Sequence, residues 1–189
     1  MKVIKNSLEQ SHYYIKQVVR DGDTVIDATA GNGKDTAFLA ELVGETGKVY
    51  AFDIQDMALD STINRLKKLN LNGRVETIKD GHQNMDSYVS ERVKAVVFNL
   101  GYLPGGDHCI GTKGETTITA IEKAMELIEV NGIISLVVYY GGDSGFEEKG
   151  KVLEFVEGID NKQFTVMRTD FVNQINCPPI LLCIEKLHQ

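Results

Sequence analysis

Two carboxylates and a glycine-rich turn form the part of the chain best suited to binding a small molecule. A hydrophobic run ends in Asp27, and Gly31 and Gly33 follow it with the spacing D-x-x-x-G-x-G. Glycines at such a turn let the backbone bend tightly and approach a ligand closely. A second strand-like run ends in Asp53, where doubly wound folds place the carboxylate that binds a ribose. The two acids and the turn predict a nucleoside-binding site.

The turn differs from that of a dinucleotide-binding protein. Thr36 stands where a third glycine would let the helix pack close to its strand. Asp27 lies four residues before the first glycine, and a carboxylate at the carboxyl end of a strand can hold an ammonium group directly or through water. S-adenosyl-L-methionine carries such a group together with an adenosine. The residues therefore favour this cofactor over NAD, with a turn-stabilising role for Asp27 as the alternative.

Further cofactor contacts are expected where the next strands end. Ile54 and Gln55 continue past Asp53 to where the adenine should lie, and Asp80 could accept a hydrogen bond from the adenine amino group. Helix capping is the alternative for Asp53, and an ordinary loop or helix-start position is the alternative for His82. The predicted cofactor-binding residues are Asp27, Ala28, Gly31, Asn32, Gly33, Asp35, Thr36, Asp53, Ile54, Gln55, Asp80, Gly81, His82 and Asn99.

The segment after the fourth predicted strand faces the expected methyl donor. Asn99 and Tyr102 keep the spacing of the Asn-Pro-Pro-Tyr segment of amino-group methyltransferases acting on nucleic-acid bases. In that segment the asparagine orients the nitrogen and the aromatic ring stacks on the base. Leu100 and Gly101 replace the two prolines, which leaves open whether the acceptor amine is attached to a ring. The alternative for Tyr102 is a ring packed on its own loop.

Methyl transfer from a sulfonium depends on fixed in-line geometry more than on a strong acid or base. An alkyl amine must nevertheless lose a proton first, because its pKa is about 10.4, as in lysine. We predict that Asn99 orients the amine, that Tyr102 stacks on the acceptor, and that Asp107 or His108 takes the proton. Attack of Cys109 on a pyrimidine would instead allow carbon methylation, but a small buried cysteine is the commoner explanation.

Seven strand-like runs alternate with helical patterns through the chain, which indicates an α/β fold with helices on both faces of a mainly parallel sheet. The predicted strands comprise residues 24–28, 48–53, 74–79, 94–100, 132–139, 164–171 and 180–185. No helix separates the last two, so they should pair as an antiparallel hairpin at one sheet edge. The sequence predicts a Rossmann-like, doubly wound seven-stranded sheet with an antiparallel C-terminal hairpin.

A helix is predicted ahead of the first strand. Ser7 and Gln10 have the spacing of a capping box, and the pattern continues through Val19 until Gly22 ends it. His12 lies on this helix and could approach the predicted site. A lone histidine on a half-apolar helix is more often structural, so His12 is left out of the predicted catalytic set.

The composition fits one domain over residues 1–189, with a full buried core. Three irregularly spaced cysteines indicate neither a disulfide framework nor a zinc site, so we expect no metal and a reducing cytoplasm. No run reaches the ~18 apolar residues of a membrane span, and the N-terminus has no apolar segment of signal-peptide length. Together these features predict a soluble cytoplasmic protein.

The net charge of −7 argues against sequence-independent nucleic-acid binding, which draws on many Lys and Arg contacts to phosphates. It leaves room for a small folded RNA. Lys113, Lys149 and Lys151 follow the fourth and fifth strands, at the rim where a doubly wound sheet receives its substrate. We predict these three lysines as the RNA-binding residues.

Three segments together resemble a bacterial family labelled as rRNA methylases: DATAGNGKDT (27–36), NLGYLPGGD (99–107) and NQINCPPILLCIEK (173–186). The likeness covers nearly the whole chain. It implies a class I S-adenosylmethionine-dependent fold and a homodimer. It also implies methylation of the aminomethyl nitrogen of the wobble uridine in the tRNA anticodon, which completes 5-methylaminomethyl-2-thiouridine. Residues 139–145 replace a histidine and glycine run of the family, so no histidine role is carried over.

Other functions remain open on the residues alone. The same chemistry could methylate a nitrogen of ribosomal RNA or of a small molecule. The order of strand, glycine turn and acid also occurs in NAD-dependent oxidoreductases, although Asp27, Thr36 and the terminal hairpin argue against that class. A binding module that has kept the pocket without catalysis is the remaining alternative.

Overall fold

The computed structural model describes residues 3–101, 111–141 and 145–188. Within these ranges, seven strands form one mixed sheet in the order β3-β2-β1-β4-β5-β7-β6. The strands are β1 (Thr24–Asp27), β2 (Lys48–Phe52), β3 (Val75–Ile78), β4 (Val93–Leu100), β5 (Ile128–Val138), β6 (Phe164–Thr169) and β7 (Ile180–Lys186). The predicted α/β fold class is confirmed.

The strand order reverses between β1 and β4, which opens a crevice at the carboxyl ends of these two central strands. Strands β1 to β5 run parallel, and β1 pairs with both β2 and β4. The chain therefore leaves β1 in one direction and returns on its other side, so the connections after β1 and β4 diverge at their carboxyl ends, where such folds bind ligands. Strand β7 pairs antiparallel with β5 and β6, which confirms the predicted hairpin.

Five α-helices and two short 3-10 helices accompany the described strands. The helices are α1 (Ser7–Val18), α2 (Lys34–Leu42), α3 (Asp56–Leu69), α4 (Gly114–Leu127) and α5 (Gly145–Glu157), with 3-10 turns at Asn72–Arg74 and His82–Ser87. In the described part of the chain, none of the helices has the length and apolar character needed to cross a membrane.

The N-terminal helix begins one residue earlier than predicted. Asn6 is the N-cap residue: its side chain accepts a hydrogen bond from the backbone N–H of Glu9 at 2.8 Å, and the Glu9 carboxylate accepts one from Asn6. The prediction of a Ser7 and Gln10 capping box was therefore wrong. The Ser7 hydroxyl instead donates to the carbonyl of Pro179, which ties α1 to the segment before β7.

The sheet separates two apolar clusters. Val25 points to one face, where Ile15 of α1, Leu39 of α2 and Leu66 of α3 pack against it. Ile26 points to the opposite face, which α4 and α5 cover. Because successive side chains of a strand alternate between faces, the central strands are buried on both sides. This packing fixes the carboxyl ends of β1, β2 and β4, where the predicted site residues lie.

Candidate active site

The turn between β1 and α2 depends on its glycines. Gly31 has φ +51° and Gly33 has φ +72°, and both values lie in the left-handed region. A Cβ on Gly33 would lie 2.8 Å from the Cα of Thr62 on α3. The Thr62 hydroxyl donates to the Gly31 carbonyl at 3.0 Å, and the Arg65 Nε donates to the Asn32 carbonyl at 2.8 Å. Helix α3 therefore holds the turn in a shape that only glycine permits.

Replacing Gly33 with Ala should lower the free energy of unfolding by about 2 kcal/mol, because the left-handed backbone and the close approach of Thr62 both penalise a Cβ. Urea denaturation measures the change. Gly73→Ala is the matched control, since no atom lies within 4 Å of its added Cβ and its φ is not positive. Equal stabilities of the two variants would contradict this account of the turn.

Asp27 accepts two hydrogen bonds that hold the turn after β1. Its carboxylate is completely buried, and it accepts hydrogen bonds from the Thr36 hydroxyl at 2.6 Å and from the backbone N–H of Thr29 at 3.1 Å. Burial and the nearby charge of Asp35 raise the pKa of Asp27 to about 7. Through these hydrogen bonds Asp27 stabilises the turn. Thr36, which stands where a dinucleotide-binding turn has its third glycine, donates one of these hydrogen bonds to Asp27.

Asp53 connects the two loops that border the crevice. Its Oδ2 accepts a hydrogen bond from the Gly31 N–H at 2.9 Å, and its Oδ1 accepts one from the Gln55 N–H at 3.0 Å. Each carboxylate oxygen can accept two hydrogen bonds, so each has an acceptor position left for a hydroxyl. The neighbouring Ile54 side chain is 54% exposed and offers an apolar surface beside this carboxylate.

Asp80 lies at the carboxyl end of β3 with three hydrogen-bond donors around it. Its Oδ1 accepts from the Gly81 N–H at 2.7 Å and from Asn84 at 2.9 Å, and its Oδ2 accepts from the Tyr88 hydroxyl at 2.9 Å. The bonds from Asn84, Tyr88 and Gly81 lower the pKa of Asp80. Its Oδ2 therefore has an acceptor position available at neutral pH.

His82 joins the loop after β3 to the end of β1. Its Nδ1 lies 3.1 Å from the Ala28 carbonyl oxygen, and its ring meets Phe98 edge to face with centroids 5.7 Å apart. Burial lowers the pKa of His82, so the neutral ring donates to Ala28. The Ala28 N–H donates to Val97 at 2.8 Å. The backbone of Ala28 and the ring of His82 therefore link the end of β1 to β4 and to the loop after β3.

Asn99, at the carboxyl end of β4, is hydrogen-bonded to the loop after β1 and to helix α2. Its backbone N–H donates to the Thr29 hydroxyl at 2.7 Å, and its Nδ2 donates to Asp35 Oδ2 at 2.6 Å. The other Asp35 oxygen lies 2.8 Å from His12 Nε2. The structure therefore brings His12 into the neighbourhood of Asn99, although His12 was left out of the predicted catalytic set. Only the packing of α1 on the sheet places these residues together.

Glu148 on α5 is a residue that the sequence prediction did not consider. Its carboxylate is buried, with the residue 4% exposed, and it accepts hydrogen bonds from the Thr112 and Thr117 hydroxyls at 2.7 Å each. The Thr112 hydroxyl in turn accepts from the Gly101 N–H at 2.9 Å. Burial raises the pKa of Glu148. The residues that flank positions 102–110 are thus tied together and to α5.

The remaining predicted residues are the candidates that follow Asn99 in the chain and the three lysines. Tyr102 and Asp107, with the alternatives His108 and Cys109, lie outside the described residues. Among the predicted RNA-binding lysines, Lys113 is the N-cap residue of α4, Lys149 places its Nζ 3.5 Å from the Tyr140 ring centroid, and Lys151 forms ion pairs with Glu115 and Glu147. These ion pairs raise the pKa of Lys151.

The strand order, the antiparallel hairpin and the acids at the carboxyl ends of the first three strands define a class I methyltransferase. A family model described as "Putative rRNA methylase" matches residues 49–185, and the chain belongs to this family.

Known proteins of this kind resemble the chain over almost all of its length. A relative from Arabidopsis thaliana named tRNA (mnm(5)s(2)U34)-methyltransferase, chloroplastic, is 37% identical over 192 residues, which span 96% of this chain and 70% of that protein. A Clostridium thermocellum protein solved under the same description as the family is 66% identical with TM-score 0.97, covering 98% of this chain and 100% of that one. A "putative methyltransferase" from Streptococcus mutans, solved in complex with SAH, is 46% identical with TM-score 0.91 and the same coverage.

Proposed function

We propose that the protein transfers a methyl group to the aminomethyl nitrogen of 5-aminomethyl-2-thiouridine at the wobble position of tRNA, which gives 5-methylaminomethyl-2-thiouridine. The observation that carries this proposal is the relative from Arabidopsis thaliana, whose name specifies this modified nucleoside and whose match spans 96% of the chain. The match includes the crevice and Asn99. The proposal also includes a single catalytic domain over residues 1–189, a homodimer and a cytoplasmic location.

The methyl donor is S-adenosyl-L-methionine, and the residues at the crevice fit it. The two acceptor positions left on Asp53 suit the two ribose hydroxyls, and the remaining position on Asp80 suits the adenine amino group. Asp35 adds negative charge in the first turn of α2, beside the end of β1, which favours a ligand that carries a sulfonium and an ammonium group. When bound, the cofactor supplies an electrophilic methyl group.

Asp53→Ala should weaken the binding of S-adenosylhomocysteine (SAH) by at least about 100-fold. A carboxylate that bonds both ribose hydroxyls contributes more than one charge-assisted hydrogen bond. Isothermal titration calorimetry measures the affinity. Asp56→Ala is the matched control, since Asp56 is exposed and pairs with Lys79 at 2.6 Å. Asp53→Asn keeps the side-chain shape, so its SAH affinity should lie between those of Asp53→Ala and Asp56→Ala. An unchanged affinity of Asp53→Ala would remove Asp53 from the cofactor site.

For the acceptor, Asn99 is proposed to hold the amine with its side-chain carbonyl. Asp35 takes the Asn99 Nδ2 group, which leaves Oδ1 to accept an N–H of the substrate and so to orient the nitrogen lone pair. Tyr102 is proposed to stack on the uracil or its neighbour, and Asp107 to accept the proton. Lys113, Lys149 and Lys151 are the proposed contacts to phosphates of the anticodon region.

The experiment is an incubation of the protein with labelled methyl donor and total RNA from cells that lack this gene. We expect label in tRNA, and specifically in a nucleoside that was 5-aminomethyl-2-thiouridine before the reaction. tRNA from cells that cannot attach the aminomethyl group is the control and should accept no label. Label confined to ribosomal RNA would overturn the tRNA proposal and favour the function named in the family description.

A further inference from the structure

His12, Asp35 and Asn99 form a continuous hydrogen-bonded chain from α1 to the end of β4. His12 Nε2 lies 2.8 Å from Asp35 Oδ1, and Asn99 Nδ2 lies 2.6 Å from Asp35 Oδ2. We propose that His12 is a positioning residue of the methyl-acceptor site, which acts on Asn99 through Asp35. This inference rests on the proposed role of Asn99 in orienting the acceptor nitrogen.

The chemistry of Asp35 fixes which way the Asn99 amide points. A carboxylate only accepts hydrogen bonds, whereas an amide has a donor end and an acceptor end. Asn99 must therefore present its NH2 group to Asp35, and its carbonyl oxygen remains available on the other side of the amide. If Asp35 moved away, the Asn99 amide could rotate by half a turn. It would then offer a donor where the substrate amine needs an acceptor.

His12 keeps Asp35 in place from the side opposite Asn99. Asp35 is 7% exposed, so its carboxylate depends on donors within the protein. The imidazole of His12 stacks on Phe38 with ring centroids 3.9 Å apart and an interplanar angle of 15°. Phe38 lies on α2 three residues after Asp35, so the same helix holds the carboxylate and supports the ring that bonds to it.

This arrangement makes a specific demand on the ring nitrogens. His12 must carry a hydrogen on Nε2 in order to donate to Asp35, while Nδ1 has no part in the chain. The amide nitrogen of a glutamine lies at nearly the same distance from the backbone as Nε2 of a histidine. Glutamine should therefore replace His12 in this role, whereas leucine should not.

The first arm of the test is steady-state kinetics with tRNA that carries the aminomethyl group. We expect His12→Leu to lower kcat by about 10- to 50-fold with little change in SAH affinity, since misplacing a positioned group costs rate rather than cofactor binding. His12→Gln should stay within about threefold of the wild type over the whole pH profile. Gln17→Ala, at an exposed position of α1, is the matched control. Wild-type rates in His12→Leu would overturn the inference.

A proton-carrying role for His12 gives a different result. His12→Gln would then be as slow as His12→Leu, because an amide cannot carry a proton, and the pH profile would lose one limb. That outcome would also overturn the positioning role.

The second arm needs no turnover and separates this inference from the proposed function. The side-chain amide protons of Asn99, assigned in NMR spectra by their loss in Asn99→Ala, should show slow solvent exchange in the wild type and in His12→Gln. They should exchange faster in His12→Leu. A wild-type protein that does not methylate the tRNA contradicts the proposed function alone. Unchanged exchange in His12→Leu contradicts the role of His12, whatever the acceptor is.

Discussion

Asn99→Ala is expected to lower kcat for methyl transfer by about 100-fold or more. Loss of the side-chain carbonyl removes the group that orients the acceptor amine, and misplaced reacting atoms cost about this much in rate. The fold should survive, because the bond from Asn99 to Thr29 uses the backbone N–H, which alanine keeps. Single-turnover kinetics with saturating SAM measures the effect on the chemical step.

Asn99→Asp removes the amide group while keeping the size of the side chain. The introduced carboxylate could not donate to Asp35, and the two like charges would repel each other at the position where 2.6 Å now separates donor and acceptor. We therefore expect Asn99→Asp to be at least as slow as Asn99→Ala. Full activity in either variant would mean that the acceptor nitrogen is oriented by another group.

The second large effect concerns stability as a function of pH. Because burial and Asp35 raise the pKa of Asp27 from 3.8 to about 7, the native state holds a proton between these values that the unfolded state has released. Stability must then fall as pH rises through this window and level off above pH 7. From pH 5 to pH 8, the contribution of Asp27 should decrease by roughly 2 to 3 kcal/mol, from about 1.4 kcal/mol per pKa unit.

Asp27→Asn isolates this contribution from those of other groups. The asparagine resembles the protonated acid and can still accept from the Thr29 N–H. Urea denaturation of the wild type and the variant at pH 5, 6, 7 and 8 gives the difference in unfolding free energy at each pH. The unfolding free energy of Asp27→Asn should increase relative to that of the wild type as pH rises. A difference that is constant from pH 5 to pH 8 would contradict the raised pKa of Asp27.

The sheet was predictable from the sequence because each strand is a short apolar run bounded by turns. All seven strands that the structure describes were predicted, and the antiparallel hairpin followed from the absence of a helix between the last two. The boundaries were less accurate. Strand β5 begins at Ile128 instead of residue 132, because Ile128 pairs with Val93 across an irregularity in the register. Such pairing depends on the neighbouring strand and leaves no local signal.

The site was predictable where a residue type and a strand end coincide. Asp53 and the glycine turn lie together as expected, and Asp53 bonds directly to Gly31. Asp27 was predicted either to hold an ammonium group of the cofactor or to stabilise the turn, and the structure buries it completely with hydrogen bonds from Thr36 and Thr29. That contact could have been anticipated only from the three-dimensional shape of the turn.

The residues that the sequence prediction left out of the site come from elements far apart in the chain. His12 meets Asp35 only because α1 packs against the sheet next to α2, and Glu148 meets Thr112 only because α5 packs against α4. Neither residue is part of a local motif. A lone histidine or glutamate on an amphipathic helix is usually a surface or structural residue, so the pattern alone favours that interpretation.

The most direct test of the central claim is the position of the transferred methyl group. A synthetic anticodon stem-loop that carries 5-aminomethyl-2-thiouridine is incubated with the protein and SAM, and its nucleosides are fragmented by tandem mass spectrometry. The account predicts one added methyl group on the exocyclic nitrogen, and none on a stem-loop with unmodified uridine. A methyl group on sulfur, on the ring or on ribose, or no product at all, would contradict it.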